Sequence, residues 1–352
     1  QGGFGLPYAF VNSDGTAHPS DPQYAEAVDL PASSYNDAPS GIPRPFGSGN
    51  NLTSVGNIVN NSDYLVIRGT SVARSNASQR WTYMQYSSAT PKPRSWQSSS
   101  ENIPESAWVI VLKRAFINGQ YVNQLVLDPG ESVTSNLYFS PNYFSSGFAP
   151  SGAGTYPFNP VTQNDIYFIY GIDDDDIRMP FNRTDYFVSR PTAANSMSTF
   201  CAPNTGILYK GTINQANGRT NYTLPLMDCI ADMQIIYGWD LKNAGSSGTD
   251  GLVDTYSNAD GTVAVGEATN TEVAAALASA ATIRNSLKLV KVFILAQNGK
   301  KDPNYTSPAS YELFDAGESS LGRTYALGSD MRNYRWKVYR IVVRPKNLTS
   351  NN

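Results

Sequence analysis

Histidine is almost absent from this sequence, and this removes most of the common catalytic constellations. The single histidine, His18, lies in the Pro- and Ser-rich stretch DGTAHPSDP, where a general base would be poorly held. One histidine cannot form an H-E-x-x-H zinc motif, and a Ser-His-Asp triad is not expected around a loop residue. The phosphate-binding turn G-x-x-x-x-G-K-[ST] is also missing. The sequence therefore does not support a zinc-dependent, triad-based or nucleotide-dependent enzyme.

Charge and long apolar runs are equally scarce. Charged residues make up 16% of the 352 residues, apolar residues make up 40%, and the net charge is −3. No basic field exists to attract nucleic acid. No run approaches the roughly 18 to 20 apolar residues of a membrane span. The composition indicates a globular chain with a polar, uncharged surface and enough length for a sizeable core.

Only two cysteines occur, Cys201 and Cys229. Neither lies in a C-x-x-C motif or beside a histidine, so a redox or metal role is not indicated. In a chain with little charge and much Ser, Asn, Gly and Tyr, the pair favours an oxidising, extracytoplasmic setting. We predict a disulfide, worth roughly 3 to 4 kcal/mol in the chain-entropy model. The alternative is a pair of buried free thiols.

The sequence does contain a series of short β-prone runs separated by turn residues. The clearest are YLVIRG, AWVIVLKRAFI, QYVNQLVL, DIYFIYGI, DYFVS, GILYKGTI, CIADMQIIYGW, LKLVKVFILA and YRWKVYRIVVRP. Asn118 and Gly119 supply the two positive-φ positions of a type I′ hairpin turn. The run LKLVKVFILA is apolar on both faces, which predicts a central strand. We expect residues 287–296 and 334–343 to belong to one central sheet.

One helix is predicted, near residues 270–285. Thr269 and Glu272 have the spacing of a capping box. The residues that fall on one apolar face are Val273, Ala276, Leu277, Ala280 and Ile283. The first 62 residues are rich in Pro, Gly, Ser and Asn, and we expect this leader to wrap a globular core in residues 63–348. The resulting expectation is a single α+β domain with a mainly antiparallel sheet and long loops.

Carboxylates are the one remaining enzymatic option. Asp173 to Asp176 are consecutive in GIDDDDIR, and glycosidases use two carboxylates on either side of the bond that they cleave. Four adjacent aspartates repel one another, however, and such runs are mostly solvated loops. We therefore predict no catalytic residues and no enzymatic activity.

Several stretches, in the same order along the chain, resemble PilW-type minor pilins of bacterial type IV pili. They are SDYLVIRGTSVA, RMPFNRTDYFV, CAPNTGILYK, PLMDCIADMQIIYGWD, IRNSLKLVKVFILAQNGKKDPNYTSP and YRWKVYRIVVRPKNL. The resemblance covers roughly residues 1–5 and 63–348, and the two cysteine segments and the tail are its most specific parts. It implies that the α+β domain is of the pilin type.

The resemblance also implies a location and a role. In that family GGFGLP falls just after a hydrophobic N-terminal helix that anchors the protein in the inner membrane, so we interpret the chain as an ectodomain without this helix. The family implies a structural protein of the pilus and cell surface that helps to prime pilus assembly and lies in the tip complex. The implied partners are other minor pilins, the major pilin and a tip adhesin. Nucleic acid is not expected as a partner, and the membrane is expected only through the missing helix.

The stretch YGWDLKNAGSSGTDGLVDTY, residues 237–256, contains a candidate calcium site. In PilW-like sequences the corresponding segment is often a denser Asp/Gly loop that looks suited to calcium. This chain keeps Asp240, Asp250 and Asp254, and the Asn243 side chain, backbone carbonyls and water would have to complete the six to eight oxygens that calcium needs. The closer-spaced ligands of an EF-hand are missing. The alternative is a flexible acidic turn.

Two other functions are compatible with the sequence. A J-type pseudopilin of type II secretion has a similar expected fold, and operon neighbours encoding a secretion ATPase would favour it. A secreted carbohydrate-binding or glycan-cleaving β-rich domain would be favoured by sugar bound on Trp81, Trp96 or Trp108. These tryptophans are more simply interpreted as packing residues.

Overall fold

The structure is a computed structural model that describes most of the chain. The described residues are 26–37, 43–53, 57–59, 61–87, 93–104, 107–117, 120–126, 160–173, 179, 181–192, 197–243 and 245–345. His18, the turn residues Asn118 and Gly119, and Asp174 to Asp176 lie outside them.

The described chain is built mainly from strands. They are β1 (Phe46–Gly49), β2 (Tyr64–Gly69), β3 (Trp81–Gln85), β4 (Trp108–Ile117), β5 (Gln120–Leu125), β6 (Ile166–Asp173), β7 (Asn182–Ser189), β8 (Gly206–Ile213), β9 (Thr220–Trp239), β10 (Lys242–Asn243), β11 (Ser246–Ser247), β12 (Thr255–Asn258), β13 (Ala264–Gly266), β14 (Leu287–Gln297), β15 (Ser310–Leu313), β16 (Arg323–Ala326) and β17 (Trp336–Val343). The helices are α1 (Asn270–Ala278) and α2 (Ala280–Ser286), with short 3-10 turns at Ala32–Tyr35, Thr70–Val72, Ala77–Gln79, Ser99–Glu101 and Ser329–Met331.

The strands form one large and one smaller antiparallel sheet, with two short hairpins beside them. In the large sheet the neighbours are β1-β2-β7-β8-β9, and β9 continues to β12-β13 and, on its other side, to β14-β17. The first half of β9 pairs with β8, and its second half pairs with β14 and β12. The smaller sheet has the order β3-β6-β4-β5, and the hairpins are β10-β11 and β15-β16. The long strand β9 therefore joins the parts of the large sheet.

β14 is a central, buried strand, as its sequence predicts. Side chains alternate along a strand, so Val290 and Ile294 face one side of the sheet and Phe293 faces the other. The first side packs in a cluster with Val273, Leu277 and Ile283 of the two helices. The second side packs in a cluster with residues of segment 298–336, among them Leu313, Leu321, Tyr325 and Trp336. Helices thus cover one face of the sheet around β14, and a loop-rich segment covers the other.

The smaller sheet has a core of its own. Its buried cluster contains Ala77, Met84, Ile103, Ala107, Val109, Val111, Tyr167 and Ile169. β4 and β5 pair with Ile117 opposite Gln120, so the two strands adjoin as the predicted hairpin requires.

The leader contributes a buried charge network to the large sheet. Glu26 is 3% exposed and accepts hydrogen bonds from Arg68 Nη2 at 2.8 Å and Arg183 Nη1 at 3.0 Å. Arg183 also donates to Asp185. A buried carboxylate requires such partners, because the charge otherwise loses its hydration without compensation. The described part of the leader therefore packs against the large sheet.

The expectation of a pilin-like α+β domain with one clear helix near 270–285 is wrong. The described residues are mostly β, and their only α-helices are two short ones of 9 and 7 residues. The expected helix is divided at Ser279, which is extended and caps α2 by accepting a hydrogen bond from the Thr282 N–H. A serine hydroxyl can replace a backbone carbonyl as the acceptor of a helix hydrogen bond and so interrupt a helix. The spacing of apolar residues, on which the prediction of one helix is based, does not reveal such an interruption. The capping box of Thr269 and Glu272 is present, and the predicted apolar face is buried.

The prediction that residues 287–296 and 334–343 belong to one sheet is confirmed, but the two runs differ in position. Both long runs are strands of the large sheet, but only β14 has neighbours on both sides. Among the described strands β17 pairs with β14 alone, and most of its residues beyond Trp336 are partly or largely exposed. An apolar run shows that a strand forms, but the number of its neighbours depends on distant segments of the chain.

Candidate interaction surface

The described residues expose an apolar edge at β17. Ile341, Val342 and Val343 are consecutive, and 46%, 40% and 46% of their respective surfaces are exposed. Strand side chains alternate between the faces of a sheet, so apolar groups are exposed on both faces of this edge. Exposed apolar edges are rare in isolated proteins because they attract other strands. This edge is therefore the first candidate for a functional surface.

The edge is held in place at its start. Trp336 is buried, and its Nε1–H donates to the Met331 carbonyl at 3.0 Å. The strand then pairs with β14 in an unbroken register, from Trp336 opposite Gln297 to Val343 opposite Val290. A fixed start and a regular ladder make the outer side of β17 a defined surface.

A cluster of four charges fixes the middle of the edge. Arg340 binds Asp315 through two hydrogen bonds, Nε to Oδ1 at 2.7 Å and Nη2 to Oδ2 at 2.6 Å. The buried Lys291 donates to both Asp315 and Glu318. Arg340 and then Lys291 lower the pKa of Asp315, although its partial burial opposes them. The cluster links β17 and β14 to the loop that follows β15.

Sequence reasoning missed this edge. The available signal is the arrangement of Ile341, Val342 and Val343 between Arg340 and Arg344. Cations on both sides of a short apolar run are typical of strands that must not aggregate. Hydrophobic periodicity alone does not take the flanking arginines into account, because it assigns every apolar strand to the core.

The predicted Cys201–Cys229 disulfide is present. Cys229 has a positive φ of 56°, and it lies where β9 passes from β8 to β14. Gln297, at the end of β14, also holds the segment around Cys201, since it accepts from the Ala202 N–H and donates to the Phe200 carbonyl. The disulfide therefore lies at a junction of three strands, and its role here is structural.

The acidic stretch after β9 uses its carboxylates on the chain's own donors. Asp240 is buried, accepts from the Asp250 and Gly251 N–H groups, and has Lys288 Nζ at 3.2 Å. Asp254 Oδ2 accepts from the N–H groups of Leu241 and Lys242, at 2.6 and 2.8 Å. These bonds close the loop on itself.

The other two proposed calcium ligands do not join them. Asp250 Oδ1 accepts from the Leu252 N–H, and Asn243 is exposed in β10. No group of three or more His, Cys, Asp or Glu side chains suited to a metal ion occurs among the described residues. As arranged, the set does not fit a calcium ion, because an ammonium and backbone donors already use the carboxylates. Calcium binding is therefore not expected from this arrangement, and a thermal melt with calcium and with chelator tests it.

The three tryptophans of the carbohydrate alternative differ in exposure. Trp81 is 43% exposed, the Trp96 ring packs edge-on against the Trp81 ring, and the Trp96 Nε1–H donates to the Trp81 carbonyl. Trp108 is half-buried in β4. Trp96 is thus used for packing, and the exposed aromatic surface of the three is centred on Trp81.

Comparison with known families matches part of the chain to a pilus-assembly family. Residues 185–347 match the family model described as type IV pilus-assembly protein W. The matched segment begins in β7 and contains the disulfide, the acidic stretch and the exposed edge. No curated protein and no solved structure matches the chain. In the described residues no helix is long and apolar enough to span a membrane.

Proposed function

We propose, from the premise that this chain is a PilW-type pilus protein, that it is a structural component of type IV pilus assembly that acts through protein–protein contact. The finer role that we propose is priming of the pilus together with other minor pilins, in a complex at the tip that also involves the major pilin and an adhesin. We propose no catalytic step, because the family is one of assembly proteins.

The exposed edge of β17 carries the contact part of this proposal. The edge lies inside the segment that matches the family, and it combines apolar side chains with outward backbone groups on a rigid support. Surfaces of this kind are typical of sites where other chains are recognised. The family and the disulfide support an extracytoplasmic, pilus-associated location.

The pseudopilin alternative concerns the machine to which the protein belongs. The family match favours the pilus, because its description is that of a pilus-assembly protein. The carbohydrate alternative has one supporting observation, the exposed Trp81 ring. A single exposed aromatic side chain is a common surface feature, so the protein-contact function is the better supported of the two.

Deletion of the gene tests the proposed function. We expect a large loss of surface pili, counted by electron microscopy, and recovery when the wild-type gene is restored. Secretion of a type II substrate in the same strain serves as the control for the pseudopilin alternative. Unchanged pilus number in the deletion strain would refute the proposal.

A further inference from the structure

Among the described residues, no strand pairs with the outer side of β17, which therefore offers unpaired backbone groups. In an antiparallel ladder the N–H and C=O groups of successive residues point alternately to the two sides, so about half of the strand faces away from β14. The register with β14 is continuous over all eight residues, without a bulge. Bulges, prolines, short length and charged side chains are the usual protections of an edge. Of these, β17 has only the charged side chains within its own length, Lys337 and Arg340.

The side chains of the edge favour a strand as its occupant. Tyr339, Ile341 and Val343 point to one face, and Val338 and Val342 point to the other. β-branched and aromatic residues directly opposite one another on neighbouring strands stabilise the pairing. A helix would contact one face of the edge only, whereas an added strand contacts both faces and the backbone.

The charges of the edge indicate the chemistry of that strand. Residues 335–344 contain four cations and no carboxylate, although the net charge of the chain is −3. Arg335 and Arg340 are already paired with Asp302 and Asp315. Lys337 Nζ lies 4.7 Å from the Tyr339 ring, and neither Lys337 nor Arg344 has a carboxylate partner among the described residues. These two cations stand at opposite ends of the apolar run, about 23 Å apart at about 3.3 Å per residue.

We propose that β17 binds an extended strand of another pilus-assembly protein, with one carboxylate opposite Lys337, a second opposite Arg344, and apolar or β-branched residues between them. The added strand extends the large sheet beyond its present edge. The assignment of the partner to the pilus machinery rests on the proposed function. The chemistry of the partner strand rests on the edge itself.

Charge argues against a second copy of the chain as the occupant. In every register, residues 335–344 of a second copy offer Lys337 and Arg344 no carboxylate, and the antiparallel register that sets Ile341 opposite Val343 also sets Arg340 opposite Arg344 twice. Like charges directly opposite one another destabilise a strand pair. The same cations that oppose self-pairing therefore select a partner that carries carboxylates.

Synthetic peptides test the chemistry of the edge with the purified 352-residue chain. The first peptide has an eight-residue segment with Glu at both ends and alternating Val and Thr between them. The second has Lys in place of both Glu residues, and the third is the Glu peptide with N-methyl groups on alternate amides. Fluorescence anisotropy should show at least tenfold tighter binding of the Glu peptide than of the other two. Equal binding of all three peptides, or no binding of any, overturns the proposal.

A charge reversal locates the site. Lys337→Glu/Arg344→Glu should invert the preference between the Glu and Lys peptides. The variant's carboxylates would repel the Glu peptide and attract the Lys peptide. Arg219→Glu/Lys301→Glu changes the net charge equally at exposed positions off the edge, and it should keep the wild-type preference. Equal melting temperatures of the two double variants confirm that folding is not the cause. A dimer of the wild-type chain whose dissociation constant Lys337→Glu/Arg344→Glu changes at least tenfold would assign the edge to a second copy and overturn the proposal.

Complementation separates this inference from the proposed function. In the deletion strain, Arg219→Glu/Lys301→Glu should restore surface pili, and Lys337→Glu/Arg344→Glu should restore less than a tenth of them. If the deletion itself leaves pili unchanged, the proposed function fails whatever the peptides do. If the deletion removes pili and both double variants restore them in full, the edge inference alone fails.

Discussion

Two fully buried carboxylates lie next to each other on the large sheet. Asp63 accepts from the Asn51 and Ile235 N–H groups, at 2.8 and 2.7 Å. Asp232 accepts from Ser62 Oγ at 3.1 Å and lies 2.8 Å from Arg323 Nη2. Burial raises the pKa of both carboxyl groups, and it raises that of Asp232 to about 6 although Arg323 opposes the shift. These residues fasten the turn before β2 to β9 at an electrostatic cost.

That cost predicts a pH dependence. The folded state holds the Asp232 proton to a higher pH than the unfolded chain, whose carboxyl has a pKa of about 4. The stability contributed by this protonation is present below about pH 4 and is lost as the pH rises to about 6. Asp232→Asn removes the titration, so its stability relative to the wild type should rise by up to about 3 kcal/mol over this range.

Urea denaturation at several pH values measures the difference between the two proteins. Asp228→Asn, at an exposed carboxylate on the same strand, is the matched control. Wild-type and Asp232→Asn curves that stay parallel from pH 4 to pH 6 would contradict the assignment.

At the scale of elements, the acidic loop between β9 and β12 is held by its own carboxylates, which accept hydrogen bonds from its own backbone. Asp240 and Asp254 bind backbone N–H groups at its two ends. Lys242 also donates to Glu272 at the start of α1, and this hydrogen bond is the largest of the interactions that lower the pKa of Glu272 to about 2. The loop is therefore tied to the sheet and to the helix by hydrogen bonds of its own residues.

Thermal melts distinguish this arrangement from the calcium hypothesis. We expect the same melting temperature in millimolar calcium and in chelator, because the carboxylates are already used. Asp254→Ala should destabilise the fold by at least about 2 kcal/mol, since three hydrogen bonds to a charged group are lost, two from backbone N–H groups and one from the Thr255 hydroxyl. Asp250→Ala should have a smaller effect. Calcium at a hundred times its dissociation constant would add about 2.7 kcal/mol, so a calcium-dependent rise that Asp250→Ala abolishes would establish the site.

At the scale of the whole molecule, β9 is the strand on which the large sheet depends. It pairs with β8, β12 and β14, and the disulfide lies at the change of partner. The bridge spans 28 positions, and it connects the segment before β8 with the junction. A cross-link at this point restricts the unfolded chain and holds the parts of the sheet together.

Removal of the disulfide should lower the free energy of unfolding by about 2 to 5 kcal/mol. The variant is Cys201→Ser/Cys229→Ser, measured by urea denaturation. A second variant, Cys201→Ser/Cys229→Gly, separates the bridge from the backbone, because glycine accepts the φ of 56° at position 229 without strain. It should be more stable than the serine variant by up to about 1 kcal/mol. Two reactive thiols in the denatured, unreduced wild type would refute the bridge itself.

Much of the fold could be predicted from local patterns. The runs that became β2, β4, β6, β8 and β14 were all identifiable, and the capping box of Thr269 and Glu272 marked the start of α1. The division of the helix at Ser279 and the short strands β12, β13, β15 and β16 could not be identified from the sequence, because these features depend on contacts with other elements. Of the candidate residues, the cysteines were predicted correctly as a pair. The acidic side chains were recognised as a group, but their hydrogen-bond partners were not.

The amino-acid sequence by itself determined where most strands form, which face of the helical segment is apolar, and which cysteines could join. These properties depend on residues close together in the chain, or on there being only two candidates. Only the tertiary structure decided that β14 is internal while β17 is an edge, and that Asp240 and Asp254 bind the loop's own backbone. Strand neighbours and hydrogen-bond partners are set by segments far apart in sequence, and no local period records them.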